Sequence, residues 1–166
     1  MASEVTSPLV GRPVRESASE YFEIALPNDA NLLGNLLGGR VMHLVDLAGA
    51  LAAARHSRCP VVTVSVDSMT FLHPVHIGQL VILKSAVNRV FRTSMEVGVK
   101  VWVEDLRTGV RRHTSSAYLT FVALGPNNER VPVPPVIPEG EDEKRRYESA
   151  LVRREYRLST KKQEKP

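Results

Sequence analysis

Four segments of alternating apolar and polar residues follow one another from Val61 to Leu124 with only short turns between them, and this run limits the fold more than any other feature. Val61 to Leu72 sets Val62, Val64 and Val66 on one face, then passes the apolar role to Met69 and Phe71. That change of phase predicts a β-bulge near Asp67. Leu80 to Phe91 is a second long strand. Thr93 to Glu104 alternates most regularly, with Met95, Val97, Val99, Val101 and Val103 opposing Glu96, Gly98, Lys100, Trp102 and Glu104. Val110 to Leu124 follows a Thr108-Gly109 turn. Such short connections join antiparallel neighbours, since parallel strands need a crossover of roughly a dozen residues. A doubly wound α/β fold is therefore excluded.

One long helical segment precedes these strands. Arg40 to His56 contains no proline; Val41, Val45, Ala48 and Ala52 follow helical spacing, with Leu44, Leu47 and Leu51 on a neighbouring face. So little polar surface is left that the helix is expected to be wrapped by other structure. Ser19 to Leu26 reads as a short strand, Phe22, Ile24 and Leu26 alternating against Tyr21 and Glu23, closed by a Pro27-Asn28-Asp29 turn. The expected architecture is α+β: one long helix packed on an antiparallel sheet of five to six strands, plus a C-terminal helix. By its length of 166 residues the chain is one domain. It divides into a loose N-terminal segment over 1–18, a main body over 19–125, a Pro-rich connector over 126–138, a charged helix over 139–158 and a frayed tail over 159–166. The charged helix carries a thin apolar stripe of Tyr147, Ala150, Leu151 and Leu158. Sheet edges left open by this arrangement are most simply covered by a second copy of the chain.

Composition removes several classes. With 43% apolar and 24% charged residues the chain is an ordinary globule, and a single cysteine, Cys59, cannot build a disulfide framework. One free thiol fits a reducing compartment, no apolar run reaches the ~20 residues of a membrane span, and Met1 to Val10 lacks a signal-peptide core, so a cytoplasmic location is expected. The net charge of +4 is spread evenly: residues 1–138 hold 13 basic against 11 acidic residues, and 139–166 hold 9 against 7. Scattered charge without a reading motif does not make a nucleic-acid surface.

Two places carry chemistry. Asn31-Leu-Leu-Gly-Asn35-Leu-Leu-Gly-Gly39 runs into the helix, and glycines at a helix mouth let backbone N–H groups approach an anion or the oxyanion of an attacked carbonyl. A Gly-rich turn required for tight packing explains the same residues. Neither a Walker A Lys-Ser/Thr nor a GxGxxG follows, so phosphate-loop readings fail. Asp46 sits in the middle of a helix expected to be buried, where a carboxylate must be paired, neutralised or used. It is a candidate general base; a salt bridge to Arg40 or His43 is the structural alternative. The five histidines show no metal-ligand spacing, no GxSxG elbow is present, Cys59 before Pro60 reads as inert, and His73-Pro74 reads as a strand-end turn. Arg92-Thr93-Ser94, between two strands, offers one charge and two hydroxyls.

Together these pieces resemble the start of the hotdog-fold acyl-CoA thioesterases, and in particular the branch of the brain-type acyl-CoA hydrolase and its bacterial relatives. The matching residues are Gly34-Asn35-Leu-Leu-Gly38-Gly39 seven residues before Asp46-Leu-Ala-Gly49, Met69-Thr-Phe71-Leu-His-Pro74-Val-His-Ile-Gly78 and Arg92-Thr-Ser94-Met95-Glu-Val97. Pro134-Pro-Val-Ile-Pro138-Glu and the Lys-Arg-Arg-Tyr helix match as well. The resemblance covers about residues 19–158; many bacterial relatives carry Asp in place of Asn35.

The resemblance implies hydrolysis of a fatty acyl-CoA to free acid and coenzyme A, with no metal and no cofactor beyond the CoA of substrate and product. Asp46 would be general base or nucleophile, Asn35 would orient water or the thioester carbonyl, and the Gly39 N–H would meet the oxyanion. Arg92 and Ser94 are the expected CoA contacts. The implied assembly is a dimer-based homo-oligomer, a trimer of dimers, with sites between subunits. A hotdog dehydratase using His43 and a non-catalytic acyl-CoA-binding regulator are the alternatives. Asn35 and Asp46 lie eleven residues apart, about 16 Å if both were helical, and a two-fold dimer sets Asn35 of one subunit against Asp46 of the other.

Overall fold

Valine- and threonine-rich alternation favours pleated strands, and the alanine- and leucine-rich segment favours a helix. The computed structural model describes residues 9–163. In chain order its elements are β1 (Arg12–Pro13), β2 (Ser19–Ile24), α1 (Gly38–Ser57), β3 (Val61–Phe71), β4 (Leu80–Val90), β5 (Ser94–Glu104), β6 (Arg111–Ala123), β7 (Val136–Ile137) and α2 (Glu141–Gln163). Five strands form one antiparallel sheet in the order β2-β4-β5-β6-β3. β1 and β7 form a small parallel pair.

The registers sort the side chains into two faces. Met95, Phe121 and Thr63 share one row, and Val97, Leu119 and Val66 the next but one; these rows face α1. Val41, Leu44, Val45, Ala48 and Ala52 of α1 are buried against them. Gly49 allows this closeness: a Cβ there would stand 3.0 Å from the Phe121 ring. β3 shifts register between Thr63 and Ser65 and again between Val66 and Ser68. The expected bulge at Asp67 is present, with another at Val64.

The opposite face carries α2, held mainly by charge. Buried Glu96 receives Arg153 Nη2 at 2.6 Å, Arg153 Nε at 3.0 Å and Asn88 Nδ2 at 2.9 Å. Arg157 Nη1 donates to both oxygens of Asp67 at 2.8 Å, and the Arg153 guanidinium lies 3.7 Å from the Tyr118 ring centre.

Several expectations need correction. The 1–18 segment is not loose throughout: residues 1–8 lie outside the described residues, but Arg12–Pro13 pairs with Val136–Ile137, and Val14 and Ser17 are buried. The connector over 126–138 therefore contains a strand. Arg12 donates to the carbonyl of buried His56, whose Nε2 meets Pro134 O at 2.8 Å, joining both ends of the chain to the end of α1. α2 continues to Gln163 instead of fraying after Leu158, and of its apolar stripe Ala150 is buried while Leu158 is exposed. In β2 the apolar row is turned outward: Phe22, Ile24 and Leu26 are exposed, while Tyr21 pairs with Leu83 and packs on the core. Nor is α1 buried all round. Met42, Leu47 and Leu51 are exposed. Met42 lies one turn before Asp46, toward the edge strand β3, whose Val62, Val64 and Val66 are exposed too. Leu47 and Leu51 share the other flank of α1 with Arg40 and Arg55, which bond to Glu23 and Ser19.

Candidate active site

The Asn/Gly segment before α1 closes on itself. Asn31 N–H donates to Asn35 O at 2.7 Å, while Asn31 Oδ1 accepts the N–H groups of Leu33 (2.9 Å) and Asn35 (3.1 Å). Gly34, at φ +75°, supplies the left-handed residue this tight turn requires. With its oxygen occupied twice by backbone, the Asn31 carboxamide has no partner for its Nδ2 hydrogens among the described residues. Asn35 is used differently: its Oδ1 lies 2.7 Å from His76 Nδ1. Both asparagines line a cavity of about 230 Å³ whose walls include Gly38, Val41 and Phe71.

α1 opens beside that cavity. Leu37 caps it without a side-chain hydrogen bond, and neither Gly38 nor Gly39 N–H has an acceptor among the described residues. These orphan donors carry the positive end of the helix dipole. A Cβ on Gly39 would meet nothing within 4 Å, so packing inside the subunit does not require glycine there. Open space above a free N–H is what an incoming oxyanion needs.

Asp46 lies eight residues beyond Gly38, about 12 Å along the helix axis. It is half-buried, and its Oδ1 accepts the Thr63 hydroxyl at 2.6 Å. The alternative, a salt bridge to Arg40 or His43, is not formed among the described residues: Arg40 turns to Glu23 at 2.8 Å and Asp29 at 3.1 Å, and His43 is exposed. Full burial of Asp46 is not found either, because α1 is open on that side. The two halves of the site thus stand at opposite ends of β3. Phe71 packs 3.6 Å from the place of a Gly38 Cβ, and Thr63 holds Asp46.

Arg92 and Ser94 sit at the β4–β5 turn, closed by Phe91 N–H donating to Ser94 O at 2.7 Å. Ser94 pairs with Val122 and Val122 with Val62, a row on the face away from α1 at the Thr63 end of the sheet. Arg92 is exposed and makes no ion pair among the described residues. The structure groups these two with the Asp46 end, away from Asn35. Sequence reasoning missed Thr63, hidden in a valine-rich strand outside every motif. It also did not single out Asn31, which no local signal separates from Asn35.

The sequence pattern of the thioesterase superfamily matches residues 33–110. An uncharacterised acyl-CoA thioester hydrolase, YkhA, of Bacillus subtilis (strain 168) is 42% identical over 148 residues, covering 89% of this chain and 86% of that protein. The chain belongs to the hotdog-fold acyl-CoA thioesterases.

Solved structures agree with the assignment. An apo-hexameric acyl-CoA thioesterase superposes on this thioesterase with a TM-score of 0.88 at 39% identity, over 92% of this chain and 97% of the other. An acyl-CoA hydrolase from Staphylococcus aureus, solved with butyryl coenzyme A, coenzyme A and coenzyme A disulfide, gives 0.85 at 32% identity, over 92% and 93%. That enzyme was also solved as three single alanine variants, of an asparagine, an aspartate and a threonine spaced by fifteen and then seventeen residues. In the present thioesterase the same residue types at the same intervals are Asn31, Asp46 and Thr63. No helix among the described residues is long and apolar enough to cross a membrane, and no group of three or more His, Cys, Asp or Glu there is placed to hold a metal ion.

Proposed function

We propose that a fatty acyl-CoA binds with its thioester between the Asn31–Gly39 segment of one subunit and Asp46 of a second, and that Asp46 activates the attacking water. The observation that carries this reading is the separation of the two halves along an edge strand. Among the described residues β3 pairs only with β6, leaving its other side open beside exposed Met42 of α1 and the exposed valines of β3 itself. Pairing of β3 with a second β3 about a two-fold axis near Val66–Asp67 covers that side. Antiparallel pairing then sets Phe71 and the helix mouth of one subunit beside the partner's Thr63 and Asp46.

In the proposed reaction the Asp46 carboxylate takes a proton from water as the oxygen attacks the thioester carbon. The carbonyl oxygen becomes an oxyanion, met by the Gly39 N–H at the helix N-terminus and by the free Asn31 amide hydrogens. Collapse re-forms the carbonyl and breaks the carbon–sulfur bond; Asp46 returns its proton to the leaving thiolate, giving free acid and coenzyme A. Thr63 fixes the carboxylate. The interval match supports Asn31 in the role expected of Asn35, with Asn35 holding Asn31 in place. Arg92 and Ser94, at the Asp46 end of the sheet, contact coenzyme A, with the free Arg92 guanidinium suited to a phosphate. The chemistry draws on the chain's own groups, with coenzyme A entering only as part of substrate and product. By analogy with the hexameric relatives, three such dimers form the assembly, and the free thiol of Cys59 suits the cytoplasm.

Complementation tests the shared site. Asn31→Ala and Asp46→Ala should each lose roughly 10²–10⁴-fold in thiol release from acyl-CoA. Co-expression should restore about a quarter of wild-type activity, because half the dimers are mixed and each mixed dimer holds one intact site. Mixed dimers no more active than the single variants would refute it.

A further inference from the structure

We propose that His76 is a positioning residue for the reaction, holding the asparagine loop at the helix mouth so that the Asn31 amide faces the thioester. This rests on the site reading above. Few side chains hold the loop in place, although backbone bonds flank it, among them the Ala30–Leu36 bridge and Leu37 N–H to Asp29 O at 2.9 Å. Leu32 and Leu33 at its tip are 105% and 83% exposed, so no apolar packing within the subunit anchors it. Among the described residues, one side-chain hydrogen bond reaches residues 31–35 from outside, from His76 Nδ1 to Asn35 Oδ1 at 2.7 Å. Backbone contacts accompany it: Asn35 and His76 form an isolated antiparallel bridge, Leu36 N–H donates to Val75 O at 2.8 Å, and Ile77 N–H reaches Gly34 O at 3.4 Å.

His76 is itself well fixed. Its N–H donates to Gln79 Oε1 at 2.9 Å, and Gly78, at φ +90°, donates to Ala25 O at 2.8 Å, tying the turn to the end of β2. From Asn35 the restraint passes directly to Asn31. The Asn35 carbonyl accepts Asn31 N–H, and the Asn35 N–H donates to Asn31 Oδ1. A shift of Asn35 therefore drags both the backbone and the carboxamide of Asn31. Both asparagines line the cavity beside Gly38, whereas His76 lies behind the loop and lines a separate cavity with Gln79, Asp105 and Arg112. Its action is thus through Asn35 and not on substrate. An error of about 1 Å in a reacting group costs on the order of 10²-fold in rate.

His76→Leu removes the donor; His76→Asn keeps an amide hydrogen near the place of Nδ1. With purified assembled enzyme and acyl-CoA, His76→Leu should lower kcat by about ten- to a hundred-fold with KM changed less than about two-fold, because the cavity walls are untouched. The melting temperature should hold, since His76 is exposed. His76→Asn should recover most of kcat. In an Asn31→Ala background, His76→Leu should cost nothing more, because the residue it positions is gone. An unimpaired His76→Leu, or the same loss in both backgrounds, overturns the proposal. A His76→Leu that melts early while His76→Asn stays equally slow overturns it too, in favour of a purely structural turn. Full activity in Asn31→Ala overturns the site reading and this proposal together, whereas an inactive Asn31→Ala beside an unimpaired His76→Leu overturns this proposal alone.

Discussion

Thr63→Val tests whether the contact between β3 and α1 matters for chemistry. The substitution keeps the branched shape and removes one hydroxyl, the donor 2.6 Å from Asp46 Oδ1. A hydrogen bond onto a carboxylate contributes about 1.5–3 kcal/mol. At ~1.36 kcal/mol per factor of ten, full loss in the transition state is about ten- to 150-fold in kcat. Thr63 is exposed in the isolated subunit, where water competes for the carboxylate, which moves the expected loss toward ten-fold. KM should change little, because the hydroxyl is turned onto Asp46. Thr63→Ser should restore the rate, since it returns the donor without the methyl. Stability should stay within about 0.5 kcal/mol for all three proteins, as expected for a surface polar change. The measurement is thiol release from acyl-CoA under saturating and limiting substrate, alongside denaturant unfolding. A Thr63→Val enzyme within two-fold of wild type would show that Asp46 needs no orientation from β3. An equal loss in Thr63→Ser would show that the methyl, not the hydroxyl, is what counts.

Arg153→Ala strands the buried Glu96 carboxylate with only Asn88 for company and should destabilise the fold by about 3–5 kcal/mol in denaturant unfolding; pairing Arg153→Met with Glu96→Gln should recover most of it. Val66→Lys places a cation on the open edge of β3, and light scattering should report a mass no more than half that of the wild-type assembly, with activity lost, if that edge is the dimer seam. Burial, with the Arg12 guanidinium a lesser contributor, holds His56 below its ordinary 6.5, and among the described residues its Nδ1 has no partner to receive a proton's hydrogen bond. The unfolded chain therefore binds a proton more readily, so the contribution of His56 is fully present above about pH 6.5 and is lost as pH falls through the lower folded value. His56→Gln should flatten that acid limb of stability; an unchanged limb would place the proton uptake elsewhere.

Local pattern determines a good deal of this protein. Period-two alternation places four strands in succession, and the turns between them are too short for anything but hairpins, so the antiparallel sheet and its partner helix follow from residue order alone. The change of phase after Val66 marks the bulge at Asp67 for the same reason, since an extra residue flips the side-chain alternation. The glycines at the helix mouth and the acid inside α1 are likewise visible as anomalies of type and place. What pattern does not contain is which face meets which neighbour. Phe22 and Ile24 alternate as a core row would, yet β2 turns them outward because its hydrogen-bonded register with β4 gives the inner face to Tyr21. Asp46 reads as enclosed because α1 has few polar residues. Its open side exists because β3 is the edge of the sheet, which leaves Met42 uncovered beside it. The Asp46–Thr63 contact joins residues seventeen apart on different elements, and Asn35 is set apart from Asn31 by a hydrogen bond with His76, forty-one residues away. Distances of that kind are set by packing of whole elements against one another, and a side chain's local neighbours along the chain carry no information about them.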